Sequence, residues 1–187
     1  MLVAGAAAPL VLPAQIVRAP ARAPATMADM TWTVAPEPVG SPDSSLLRRD
    51  YYGEVAGRYW GRPATTQEIE EGLTDDGADL LTPPTGQFLV GRFDGKAAAC
   101  LGLLVVDADT AELTRMFVRP EHRGTGGGGL LLAAAESAAR GFGVRTVRLD
   151  TRHDLVEARG LYAKHGYQEV PAFHRRPYAE RWFAKTL

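Results

Sequence analysis

Five glycines, Gly124, Gly126, Gly127, Gly128 and Gly129, fall within six positions and lead straight into the leucines that begin at Leu130. Glycines in succession let backbone N–H groups point into one concavity with no side chain in the way, and a helix starting there adds about half a positive charge. That is the chemistry of a phosphate cradle, and a pyrophosphate fits it. The run Leu113 to Val118 upstream reads as a strand and Pro120 as a turn, so strand, glycine loop and helix follow in order. A nucleoside triphosphatase loop would close on Gly-Lys-Ser/Thr, to put an ammonium on the transferred phosphate and a hydroxyl on magnesium. Here leucines follow Gly129 instead. A dinucleotide fingerprint is the better rival, since Gly124, Gly126 and Gly129 satisfy G-x-G-x-x-G and Asp150 stands about twenty residues on, where a ribose-binding acid belongs. Against it, Arg119 to Arg123 separate strand from glycines, and the short chain beyond Asp150 leaves no room for the remaining strands.

The elements that must hold this loop read as an α/β domain. Alternating Thr31, Trp32, Thr33 and Val34 open it as a strand ending near Pro36. A helix capped by Ser44 or Ser45 then runs through Leu46, Leu47, Tyr51, Val55 and Tyr59 to Gly61 and Pro63. A second, acidic helix starts at Thr65 or Thr66 and is expected to end at Gly72. Phe88–Phe93 and Ala97–Val106 form a hairpin around Asp94 and Gly95, the pair favoured in tight hairpin turns. A strand over Ala111–Val118 leads to a helix from about Gly126 to Arg140, whose apolar stripe is read as Leu131, Ala134, Ala135, Ala138 and Phe142. Val144–Asp150 is a β-branched strand and Leu155–Lys164 a short helix closed by Gly166. Tyr167–Val170 and Trp182–Lys185 complete the chain as strands.

Val118-Arg119-Pro120 followed by Arg123-Gly124-Thr125-Gly126-Gly127-Gly128 resembles the hallmark of the GNAT superfamily of acyl-CoA-dependent N-acyltransferases. The family's second hallmark stands in order downstream, as Ala158, Leu161, Tyr162, Gly166 and Tyr167 in the pattern A-x-x-L-Y-x-x-x-G-Phe/Tyr. The resemblance covers roughly Thr31 to Leu187. It implies a single domain with a central mixed, twisted sheet flanked by helices and a splayed parallel strand pair, here Ala111–Val118 and Val144–Asp150. It implies direct transfer of an acetyl group from acetyl-CoA to an amine, with no metal; a small-molecule primary amine is the working acceptor class. Phe117, Val118, Arg123, Gly124, Thr125, Gly126, Gly127, Gly128 and Gly129 would hold the co-substrate, Arg123 against the pyrophosphate and the N–H of Val118 or a neighbour at the thioester oxyanion. Tyr162 matches the motif tyrosine that acts as general acid to the departing thiolate, with Tyr167 as fallback. Glu112 is the candidate base, set against a solvent-facing glutamate at a strand edge; His153 and Asp154 are alternatives, and His122 is expected exposed beside the phosphates. Leu155 stands where the family often has an asparagine. Surplus glycines at a helix start cost up to about 1 kcal/mol each, so the loop is expected to be mobile before the co-substrate binds. A reading from another class is an acyl-CoA-binding sensor or assembly domain without turnover.

Composition bounds these readings. With 187 residues, 21 basic and 22 acidic, the chain suits one globular domain and lacks the basic field of a nucleic-acid binder. Cys100 is alone, so no disulfide framework or cysteine metal site is implied, and it reads as a small buried residue in a strand. A lone cysteine gives no sign of an oxidising compartment, so the cytoplasm is the default expectation. Residues 1–30 hold ten alanines and four prolines and read as a disordered leader, with translation starting at Met27 or Met30 as the alternative. No segment approaches a membrane span. Residues 43–79 carry nine acidic and four basic side chains, a charge balance that favours a cationic acceptor amine. His174, Arg175, Arg176 and Arg181 pull towards a carboxylate or the co-substrate's ribose phosphate. A homodimer is left open beside the monomer.

Overall fold

The computed structural model describes residues 31–74 and 76–187, so the leader and the alternative starts lie outside the described residues. The chain opens with β1 (Trp32–Pro36), α1 (Pro42–Trp60) and α2 (Thr66–Leu73), then β2 (Gly86–Phe93), β3 (Lys96–Val105) and β4 (Thr110–Val118). It continues with α3 (Gly127–Gly141), β5 (Thr146–Thr151), α4 (Val156–Lys164), β6 (Gln168–Val170) and β7 (Arg181–Thr186). One seven-stranded sheet in the order β1-β2-β3-β4-β5-β7-β6 carries them all. Every neighbouring pair is antiparallel except β4 and β5, which the crossover helix α3 joins in parallel. Among the described residues no helix is long and apolar enough to cross a membrane.

Helix ends differ from the sequence reading for local reasons. Ser41, not Ser44 or Ser45, caps α1 by accepting from the Ser44 N–H, because Pro42 at the first helical position needs no donor partner there. Helix α2 starts at Thr65 with a full capping box to Glu68 but runs through Gly72 to Leu73. Gly72 is helical because α1 lies too close for a side chain: a Cβ there would stand 2.6 Å from the Tyr52 ring. At the hairpin, Asp94 (φ 49°) and Gly95 (φ 77°) both take the left-handed region that a tight twisted turn requires.

Strand alternation divides the core between the two faces of the sheet. Phe88, Val90, Cys100 and Phe117 pack with Leu47 of α1 on one face, while Leu89, Leu101, Leu103 and Val147 pack with α3 on the other. The fully buried line of α3 is Leu131, Leu132, Ala135 and Ala139, with Ala134, Ala138 and Phe142 flanking it, one position round from the stripe read in the sequence. Burying two leucines contributes about 1.5–3 kcal/mol each. That offsets the helix-propensity cost of the glycines at its start.

Candidate active site

Strands β4 and β5 pair only over Thr110–Glu112 against Thr146–Arg148, then part. A β-bulge in β4 accompanies the parting. Leu101 of β3 stands opposite both Arg115 and Met116, and Arg115 sits at φ 51°. Two contacts hold the bulge: the Cys100 thiol donates to the Arg115 carbonyl at 3.5 Å, and the Arg115 guanidinium donates to the Asp76 backbone carbonyl. Cys100 is therefore packing, as read, and burial pushes its thiol up to about 12. Asp76 also accepts from Arg48 at 2.7 Å and from the Tyr52 hydroxyl at 3.2 Å. Burial alone would raise its carboxyl, yet Arg48 and Arg115 together hold it below the usual range.

The parted strands open a cleft of about 1130 Å³, above the usual size of a small-ligand cavity. Its lining runs from the glycine loop along β4 and β5 to α1 and α4. Phe117 and Val118 line it from the open edge of β4. Because the Arg119 N–H is committed to Ala98 of β3, alternation turns the polar groups of Val118 to the other edge, where its carbonyl accepts from Arg123 Nε at 2.9 Å.

At the far end, Gly124 (φ 76°) and Gly126 (φ 97°) adopt left-handed backbone that feeds α3 without a side-chain cap or an acidic residue in the first turn. The orphan N–H groups of that turn are free to meet phosphate oxygens, which is the requirement for holding the diphosphate of a nucleotide co-substrate. Gly127, Gly128 and Gly129 serve a different need. A Cβ on them would meet Trp32 at 2.4 Å, Leu161 at 2.9 Å and His165 at 2.8 Å, so neighbours occupy the space their side chains would fill. Arg123 lines the cleft beside the loop and ion-pairs with Glu54 of α1. Replacing Arg123 with Ala is expected to raise the KM for acetyl-CoA about tenfold with kcat within threefold, read by steady-state kinetics. A fall in kcat at constant KM would remove Arg123 from binding.

Tyr162 of α4 lines the cleft with its ring packed near Tyr167 and Phe183. Burial, with the charge of Asp150 added, raises its phenol above the ordinary value, so it stays protonated. Tyr167 is buried off the cleft.

Glu112 is neither a solvent-facing edge glutamate nor a wall of the cleft. It lies 2% exposed on an interior strand, with one oxygen on Arg148 at 3.1 Å and the other on Arg176 at 2.5 Å. The carboxylate that does line the cleft from the parted strands is Asp150, read in the sequence only as a ribose-binding acid. Its Oδ1 lies 3.0 Å from His174 Nε2. His174 Nδ1 is approached by the Trp182 indole N–H at 3.5 Å and the Arg176 N–H at 3.4 Å, so it accepts and Nε2 carries the proton given to Asp150. Burial raises the Asp150 carboxyl, against the lowering pull of His174 and Arg176. Glu112, Asp150 and His174 bring one ligand atom each within 4.8 Å, but two guanidiniums already occupy both oxygens of Glu112, an arrangement unsuited to a cation. His153 is exposed and paired with Glu180, and Asp154 with Arg152, so neither faces the cleft.

A family model described as the acetyltransferase (GNAT) family matches residues 45–167. The chain belongs to the GNAT family. Among curated relatives of this GNAT domain, a Bacillus subtilis protein named as a putative ribosomal-protein bS18 alanine N-acetyltransferase is 33% identical over 90 residues, 48% of this chain and 59% of its own length. An IAA acetyltransferase of Azospirillum brasilense is 34% identical over 95 residues, 50% of this chain and 61% of its own. The chain thus spans about three fifths of both relatives. The solved PaiA N-acetyltransferase of Thermoplasma acidophilum, in complex with coenzyme A, shares the fold at a TM-score of 0.66 and 16% identity, covering 84% of this chain and 99% of that one.

The charge clusters read as acceptor signals are largely engaged in ion pairs in this GNAT fold. Asp43, Asp50, Glu68 and Glu70 pair with Arg92, Arg119, Arg62 and Arg49. Arg176, Arg181 and His174 pair with Glu112, Glu169 and Asp150. Tyr51, Tyr52, Tyr59 and Trp60 from α1 and Tyr178 from the C-terminal loop line the cleft beside Glu54, Glu68 and Glu71.

Proposed function

We propose that this GNAT chain transfers the acetyl group of acetyl-CoA directly to a neutral primary amine of a small molecule. The observation that carries it is the convergence on one cleft of an uncapped glycine helix start, the open edge of β4 and the Tyr162 side chain. Acetyl-CoA supplies the activated thioester. The first turn of α3, with Gly124 to Gly129 and Arg123, binds its diphosphate, and the open edge of β4 at Phe117 and Val118 aligns the pantetheine arm. The Val118 N–H steadies the thioester oxygen, an electrostatic aid worth most in a water-poor cleft. Asp150 takes the amine's proton, directly or through one water, and Tyr162 donates to the sulfur as it leaves. Glu112 acts from behind, holding Arg176 and Arg148 beside Asp150.

Support for a small acceptor comes from the aromatic wall. Tyr59 lies 4.9 Å from Tyr178 and 4.7 Å from Trp60, both edge-on, so α1 and the C-terminal loop meet across the cleft. That arch suits an amine on an apolar body better than a protein terminus. The two curated relatives are named for different acceptors, alanine of a ribosomal protein and IAA, so this choice rests on the chain's own walls.

Calorimetric titration with acetyl-CoA, with NAD as control, and a thiol-release assay over an amine panel test the proposal. Micromolar binding of acetyl-CoA and release of coenzyme A with small apolar amines are expected. Binding of NAD alone would overturn the site reading, and binding without release to any amine would leave an acyl-CoA sensor.

A further inference from the structure

We propose that Trp32, on the edge strand β1, is the positioning residue of the glycine loop, braced against it from outside the cleft. The inference rests on the loop holding the diphosphate of acetyl-CoA, as proposed above. Two observations fix the indole. It is wedged between two glycines from distant parts of the chain: a Cβ at Gly127 of α3 would stand 2.4 Å from its ring, and one at Gly91 of β2 would stand 3.3 Å away. Its Nε1–H donates at 2.9 Å to Thr125 Oγ1, and that hydroxyl in turn donates at 2.6 Å to the His122 carbonyl. The relay spans the loop's turn from 122 to 125 and closes it with three partners, none of which uses the N–H groups that face the cleft. Phe93, at 5.2 Å, and His122, at 6.2 Å, complete the aromatic packing round the indole.

The arrangement answers a problem posed by the sequence. Consecutive glycines present donors well but hold them loosely, since glycine loses the most freedom on ordering. Ordering the loop in advance, with a side chain ninety-three positions away in sequence, lowers the entropic cost of binding a diphosphate there. Gly127 is then a socket as well as a flexible link. Its missing side chain is the space the indole enters, and the two positions share one volume.

Shared volume gives a test that a merely structural tryptophan would not pass. In Trp32→Ala, hydrogen exchange of the amides of residues 124–129 is expected to speed up at least tenfold, the Kd for coenzyme A by calorimetry to rise at least tenfold, and kcat at saturating acetyl-CoA to stay within threefold. Trp32→Phe, which keeps a ring but no donor, should fall between. Gly127→Leu alone should weaken coenzyme A binding by collision with the indole, whereas Trp32→Ala/Gly127→Leu should bind coenzyme A more tightly than Trp32→Ala. Unchanged exchange or unchanged Kd in Trp32→Ala, with only a lower Tm, would overturn the brace. So would losses that simply add in the double variant. Failure of the unaltered protein to bind coenzyme A would instead strike the functional reading, and the exchange measurement would still decide the brace.

Discussion

Replacing Tyr162 by Phe is expected to lower kcat about 100-fold, to leave the KM for acetyl-CoA within twofold, and to leave Tm unchanged within about 2 °C. The size follows from the residue's position. General acid catalysis is worth about 10²–10⁴, and it is most effective when the donor's pKa lies near the working pH. Burial and the Asp150 charge move the phenol the other way, so the low end of that range applies. The stability half follows from packing, because the ring contacts with Tyr167 and Phe183 survive in phenylalanine. Thiol-release kinetics and thermal unfolding on one preparation read both halves. Full kcat in Tyr162→Phe would reduce Tyr162 to a core residue, and a large fall in Tm would mean that its hydroxyl holds the fold rather than the sulfur.

Much of the fold was legible because its signals are local. The Asp94-Gly95 turn, the apolar alternation of β2 and β3, and the glycines bounding α3 each act over a few residues, and the observed elements lie within two residues of those readings. The misread helix ends have two causes, one a contact between elements and one local to a helix start. Gly72 looks like a helix stop until Tyr52 of α1 is seen to occupy the space beside it. Ser44 is a sound capping residue, but Pro42 sets the helix start one turn earlier.

The site divides in the same way. Its proposed phosphate end is a contiguous motif defined by backbone geometry, and so the glycine positions could be read from their order alone. The charged end depends on which strand face and which loop meet, and no spacing encodes that. Glu112 and Asp150 lie on adjacent parallel strands, yet one is closed in by Arg148 and Arg176 while the other opens on the cleft. Charge runs inform only in part, for a related reason. Counting acidic residues over 43–79 ignores Arg92, brought in from β2, and Arg119, just past the end of β4. One signal for Asp150 was present: it ends the strand that parts from β4, where a side chain must face the gap.

Asp150→Asn carries the other large expected effect: turnover should fall at least about 100-fold while the KM for acetyl-CoA stays within threefold, in line with removal of a general base. Its signature is the pH profile. A base works deprotonated, so activity is present above its pKa and falls as pH drops through it. Burial raises the Asp150 carboxyl, which puts the acid limb of kcat/KM above the ordinary aspartate value near 3.9. The amine's own titration appears in both proteins, so the ratio of the two profiles isolates the enzyme's group. That ratio should rise with pH through the Asp150 limb and then level off. Asparagine keeps the shape and can still accept from His174 Nε2, so the loss would follow charge and proton affinity rather than packing. A flat ratio together with near-normal turnover would show that the amine's proton leaves by another route and that Asp150 only shapes the wall. In that case the cluster of Asp150, His174, Arg176 and Glu112 would serve to fix the C-terminal loop against β4 and β5, and Tyr162 would be the one proton donor the reaction uses.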